Sequence, residues 1–159
     1  MDPMRTKYKI PQFSTRLVRE RAVTYATPKV TEAASAALIL HAMLDTADRE
    51  KIVVIYLNGR LEPTGCEVVA VGGLHGVGTG PREIFRGAII ARAAAIILGH
   101  NHSSGDPTPS PQDVEFTRGI CAAGKVVGIG VTDHMVVCSN GTHRSMFDMG
   151  LMGLTESAP

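Results

Sequence analysis

Two histidines one residue apart, His100 and His102, are followed eight positions on by Ser110 and three further by Asp113. Side chains alternate along an extended backbone, so a His-x-His pair sends both imidazoles to one side. An aspartate in the first turn of a following helix can fold back toward them. Two neutral imidazoles and one carboxylate are three ligands of the kind zinc accepts, with a fourth position left for water. Each piece alone has a plainer reading. Two loop histidines are commonplace, and Ser110-Pro111-Gln112-Asp113 also reads as a capping serine, a first-turn proline and an aspartate at a helix N-terminus. The loop between them holds Pro107, Pro109, Pro111, Gly105 and four Ser/Thr residues. Such a loop is stiff and turn-rich, as a preorganised ligand set requires. The whole string favours a metal site over a purely structural loop.

The elements that must position these residues follow from patterning. Thr27-Pro28 reads as a helix start, and Ala33, Ala34, Ala37, Leu38, His41, Ala42 and Leu44 recur at helical spacing. His41 is then a partly buried helix histidine rather than a ligand. Residues 51–57, Lys-Ile-Val-Val-Ile-Tyr-Leu, precede Asn58-Gly59 and read as a strand with a tight turn. Apolar residues fill both parities, so the strand should be covered on both faces. Residues 67–71 are its expected hairpin partner. Residues 72–80 hold five glycines and no phosphate-binding motif, a connection in which His75 is a loop residue.

Residues 81–94 form the second expected helix, with Ile84, Phe85, Ala88, Ile89 and Arg92 on one face. Residues 95–99 are the strand that delivers the histidines. Residues 110–123 are a third helix closed by Gly124. Residues 126–131, 135–138 and 143–146 are strands, with Asn140-Gly141 turning into the last. The order α, ββ, α, β, α, βββ gives an α/β class, more narrowly α+β: a mixed sheet flanked by helices. A cytidine-deaminase-like architecture is comparable at this level. Deaminase chemistry uses His-x-Glu and Pro-Cys-x-x-Cys, and the chain has neither.

Composition sets the remaining bounds. The 159 residues, 44% hydrophobic, suit one domain with a sizeable core. A net charge of +1 marks neither a nucleic-acid binder nor an acidic tail. Three scattered cysteines, Cys66, Cys121 and Cys138, suggest a reducing compartment and offer no rival zinc site. No apolar run approaches membrane-spanning length, and the polar, basic residues 1–11 do not read as a signal peptide. A cytoplasmic location is therefore expected, with no membrane partner. Residues 1–26 read as a basic arm with a first short strand over 17–25, and residues 27–159 as the domain. Residues 1–21 carry six Lys/Arg against two acids, but without aromatic interleaving a flexible tail is favoured over a DNA-binding arm. The apolar Gly150-Leu151-Met152 segment suits packing on its own domain or on a second copy.

His-x-His, seven intervening residues and Ser-x-x-Asp is the pattern of the JAMM (MPN+) metalloprotease site. The full string from His100 to Asp113 resembles the bacterial RadC-like JAB branch. Pro81-Arg82-Glu83-Ile84-Phe85 and Val131-Thr132-Asp133-His134-Met135-Val136-Val137 also resemble it, so the likeness covers residues 27–152. It implies a JAB/MPN-like fold and one zinc ion per chain on His100, His102 and Asp113. It implies a zinc-dependent peptidase or isopeptidase-like hydrolase acting on a peptide or protein, a zinc-bound water attacking an amide carbonyl. The serine of Ser-x-x-Asp, here Ser110, then donates to the oxyanion. The general base is a glutamate well upstream of the histidines. Glu50, immediately before the strand at 51–57, is preferred, and Glu83 competes. Glu50 also reads as a solvated residue, and Glu83 as a first-turn glutamate favoured by the helix dipole. Asp106 can support a ligand histidine or cap its own turn, and Asp133-His134 reads first as sheet support.

Two departures are visible. Ser103 stands where the branch usually has proline, which loosens the turn. Longer relatives carry a helix-hairpin-helix DNA-binding region, where this chain has some thirty residues. The competing reading is a non-catalytic JAB scaffold or DNA-repair-associated module contacting DNA weakly through the basic N-terminus. A metal nuclease is disfavoured, because the several carboxylates of a two-metal centre are missing.

Overall fold

Apolar side chains on both parities of residues 51–57 require cover on both faces of one strand. The computed structural model, which describes residues 10–44, 47–72 and 79–153, supplies it. β1 (Lys51–Leu57) pairs antiparallel with β2 (Pro63–Val71) on one side and with β3 (Ala95–Asn101) on the other. β3 pairs parallel with β4 (Gly130–Val137), which pairs antiparallel with β5 (His143–Ser145). The result is a mixed five-stranded sheet in the order β2-β1-β3-β4-β5. It is the expected α+β arrangement.

The two parities of β1 feed two cores. Val53, Ile55 and Leu57 pack with α1 (Ala33–Leu44) through Ala36, Ala37, Ile39, Leu40 and Leu44. Ile52, Val54 and Tyr56 pack on the opposite face with α2 (Pro81–Ile90) and α3 (Pro111–Val127) through Ile84, Phe85, Ala88 and Ile120. Gly99 on β3 lets α1 come close, since a Cβ there would lie 2.3 Å from the Leu40 side chain. His100 shares its parity with Ile96 and Leu98, so it emerges on the α3 face.

Several boundaries differ from the sequence expectation, each for a local reason. Residues 17–25 form no strand; Arg16, Arg19, Glu20 and Arg21 flank Leu17 and Val18, leaving no continuous apolar face to bury. The first helix begins at Ala33 rather than Thr27. The Thr27 hydroxyl donates to the Lys29 carbonyl, and Val30 N–H bonds the Leu61 carbonyl at 2.9 Å, tying this stretch to the β1–β2 turn. The hairpin partner starts four residues earlier than expected, at Pro63.

α2 stops at Ile90, because Arg92 turns the chain left-handed at φ 54. Ile89 is 55% exposed; Gly87 joins the buried face instead. α3 runs through Gly124 to Val127, where Gly128 adopts φ 78 and its N–H bonds the Gly124 carbonyl. Val126 and Val127 therefore belong to the helix, and the two strands expected over 126–138 are one, β4. Among the described residues no helix is long and apolar enough to cross a membrane.

Candidate metal centre

The fold brings the ends of β3 and α3 together. His100 is the penultimate residue of β3, and His102 follows it with its N–H on the Val137 carbonyl at 3.1 Å. Both imidazoles thus leave the sheet on the α3 side. Ser110 caps α3, with Pro111 in its first turn. The cap is reciprocal: Asp113 N–H donates to Ser110 Oγ at 3.1 Å, and Ser110 N–H donates to Asp113 Oδ2 at 2.6 Å. The capping box and the ligand reading of Ser-x-x-Asp coexist, because the cap turns the carboxylate toward the histidines.

The two Nε2 atoms are 3.0 Å apart. His100 Nε2 is 3.4 Å from Asp113 Oδ1, and His102 Nε2 is 3.3 Å from Asp113 Oδ2. Ligands about 2.0–2.1 Å from a tetrahedral zinc are themselves about 3.3 Å apart. Each of these separations is near that spacing, with the two histidines facing different oxygens of Asp113, and one ligand atom from each of the three residues lies within 4.8 Å of the others. Protonation agrees. His102 Nδ1 is 2.9 Å from the Asp106 carbonyl, which can only accept, so Nδ1 carries the proton and Nε2 presents a lone pair. Burial works against the Asp113 carboxylate, but a protonated His100 beside it and the hydrogen bonds from Ser110 outweigh it and hold its pKa well below the usual range. Two imidazole lone pairs facing a carboxylate call for a cation, whether proton or metal.

These residues line a cleft of about 310 Å³ together with Glu50, Ser103, Ser104, Ser110 and Gln112. Glu50 arrives through the sheet. Ile52 pairs with His100, and extending that antiparallel register by two residues sets Glu50 opposite His102. Its backbone is held from both sides. Gly72 N–H bonds the Glu50 carbonyl at 2.7 Å. The Asn101 side chain bridges the neighbouring residues, accepting from Lys51 N–H at 2.8 Å and donating to the Arg49 carbonyl at 3.1 Å. Glu83 does not line the cleft; its carboxylate accepts from Gly80 N–H at 3.0 Å and caps α2. The structure thus groups His100, His102, Asp113, Ser110 and Glu50, and sets Glu83 apart.

Other candidates fall into place. Asp106 caps its own turn through Thr108 N–H, and its main-chain carbonyl, not its carboxylate, holds His102. His41 lies on α1 with its ring edge-on to His143, outside the cleft lining. Asp133 is structural: it accepts from the Ser145 hydroxyl and from the N–H groups of His134 and Phe147. His75 lies outside the described residues. Sequence reasoning missed Thr117 and read His134 first as sheet support, without its contact to His100. His134, on β4 and fully buried, has Nε2 2.8 Å from His100 Nδ1. Its other nitrogen faces the Thr117 hydroxyl at 2.5 Å. Burial, then the proximity of His100, pushes the His134 pKa well below the usual histidine value. Thr117 was findable, being one helical turn beyond Asp113 on the same face; His134 depends on the β3–β4 pairing, which no local spacing encodes.

Residues 30–151 match the RadC-like JAB domain model. The chain belongs to the RadC-like JAB domain family. Its similarity to UPF0758 proteins agrees: 47% identity over 93 residues with one from Desulforudis audaxviator, covering 58% of this chain and 40% of the relative. A second, from Carboxydothermus hydrogenoformans, is 42% identical over 92 residues, covering 58% and 41% of the two chains. A third, from Symbiobacterium thermophilum, is 46% identical over 103 residues, covering 65% and 44%. The RadC-like JAB chain thus spans about two fifths of the length of these relatives. A His-His-Asp group able to hold a metal ion is compatible with a hydrolase in this family.

Proposed function

We propose that this RadC-like JAB domain is a zinc-dependent amide hydrolase acting on a peptide or isopeptide bond of a protein substrate. The carrying observation is the convergence of the His100, His102 and Asp113 ligand atoms in one cleft with Glu50 and Ser110. Zinc bound there would act as a Lewis acid and lower the pKa of a coordinated water to about 7. Glu50 takes the proton of the attacking water and returns it to the leaving amine. Ser110 has a free donor for the oxyanion: its lone pair accepts Asp113 N–H, leaving the hydroxyl proton to point elsewhere. Asp113 stays ionised throughout, held by the helix cap.

The test is hydrolysis of a panel of amide- and isopeptide-linked peptides by zinc-loaded protein. Glu50→Gln should lower turnover about 10²–10⁴-fold, with zinc retained. Turnover unchanged in Glu50→Gln, or in the His100→Ala/His102→Ala double variant, would sink the proposal. A second reading, a DNA-associated scaffold, draws on the exposed Arg16, Arg19 and Arg21 of the irregular arm. It predicts salt-dependent duplex binding that is lost when those arginines are replaced.

A further inference from the structure

We propose that Thr117 and His134 are positioning residues that fix the tautomer of His100 and thereby aim its Nε2 lone pair at the metal position. The inference rests on the reading of His100 as a ligand, and it adds two residues that contact no ligand position themselves.

Thr117 has a single hydroxyl proton. Its Oγ lies 2.6 Å from the Asp113 carbonyl, which can only accept, and 3.5 Å from the Met146 sulfur, a much weaker acceptor. Both this contact and the one to His134 are hydrogen bonds only if the proton goes to the Asp113 carbonyl, one turn back along α3, because a carbonyl cannot donate and an imidazole nitrogen can. Toward His134 Nδ1, 2.5 Å away, the Thr117 oxygen is left as acceptor, so Nδ1 carries the His134 proton. A neutral imidazole has only one N–H, and His134 is fully buried. Its Nε2 must then accept. The atom opposite is His100 Nδ1 at 2.8 Å, which donates. His100 Nε2 is left with its lone pair, 3.0 Å from the similarly oriented lone pair of His102.

Burial makes this relay necessary. His102 is 17% exposed and is oriented by a main-chain carbonyl of its own loop. The His100 side chain is 3% exposed and packs at the centre of the sheet. It needs a buried acceptor behind it. A neutral histidine in that place, rather than a carboxylate, leaves the ligand set with one negative charge, that of Asp113. A carboxylate partner would make His100 a stronger donor to the metal; a neutral one orients the ring and adds no charge.

Two measurements on the full chain test this together. The first is two-bond proton–nitrogen correlation of the imidazoles in metal-free protein at alkaline pH, with every imidazole neutral, which distinguishes the tautomers directly. The second is the zinc dissociation constant by competition with a chromogenic chelator. We expect His100 in the Nδ1–H form, and about 10–100-fold weaker zinc binding in His134→Leu. His134→Gln, which offers an amide oxygen where Nε2 lies, should recover most of that loss. Thr117→Val keeps the shape of the side chain and removes the hydroxyl, so it should shift His134 and His100 toward mixed tautomers and weaken zinc severalfold. It keeps the test decisive if His134→Leu fails to fold. His100 found as the Nε2–H form, or unaltered zinc affinity in Thr117→Val together with a folded His134→Leu, would overturn the relay. A chain with His100 in the Nδ1–H form that takes up no zinc would instead overturn the metal-site reading and leave the relay standing.

Discussion

Replacing Asn101 by alanine should remove one of the two supports around Glu50, leaving the Gly72 bond and the His100, His102 and Asp113 cluster in place. Asn101 is 6% exposed, and its amide bridges β3 to the residues on either side of Glu50. Two part-buried hydrogen bonds are lost, each contributing about 0.5–1.5 kcal/mol net. The sum is about 2 kcal/mol, and for a domain of this size each kcal/mol moves Tm by about 2–4 °C. A drop of about 4–8 °C follows from these figures. Neither bond touches His100, His102 or Asp113, so zinc affinity should stay within about threefold of wild type. Calorimetry reads the first quantity, chelator competition the second, and amide hydrogen exchange at Lys51 reports the freed N–H. Unchanged Tm with a still-protected Lys51 amide would refute the bridge. Zinc lost in step with Tm would show that Asn101 supports the ligands rather than Glu50.

Other outcomes follow from the same geometry. Glu83→Gln should spare turnover and cost about 0.5–1 kcal/mol of stability through the weakened α2 cap, measured by urea unfolding. Equal loss of turnover in Glu83→Gln and Glu50→Gln would count against Glu50 as the base. Ser110→Ala removes the α3 cap and the oxyanion donor together. It should cost about 0.5–2 kcal/mol of stability and about 10²–10³-fold in turnover, and a variant with full turnover would remove Ser110 from the mechanism. Asp133 supplies a pH prediction. Burial raises its pKa in spite of the bonds from Ser145, Phe147 and His134. A folded pKa above the unfolded one means that the folded state binds the extra proton, so this contribution is full below about pH 4 and declines as pH rises through the folded value. The stability advantage of wild type over Asp133→Asn in urea should therefore be larger near pH 4 than near pH 7, and an advantage that grows with pH would contradict it.

What the sequence revealed and what it hid divide along a physical line. Strands β1 and β3 were readable because a two-sided apolar run has few alternatives, and the Ser110-Pro111 start of α3 because capping chemistry is local. Ends set by tertiary contacts were not. Thr27-Pro28 reads as a helix start, yet Val30 is claimed by the Leu61 carbonyl. Gly124 reads as a helix stop, but Gly128 is the residue that turns left-handed. The grouping of His100, His102 and Asp113 was visible because His-x-His and Ser-x-x-Asp are each short and placed at element ends. Glu50 could be proposed from strand position, whereas its place opposite His102 needed the β1–β3 register. His134 was named as sheet support, but its link to His100 stayed hidden because it passes between strands 34 residues apart in sequence.

The most direct test of the account is the metal content of protein purified without added metal or chelator, by elemental mass spectrometry, beside the His100→Ala/His102→Ala double variant. The account predicts about one zinc per chain in wild type and none in the variant, with both chains folded. A folded wild type without zinc that takes up none on addition, or a double variant that keeps its zinc, would contradict it.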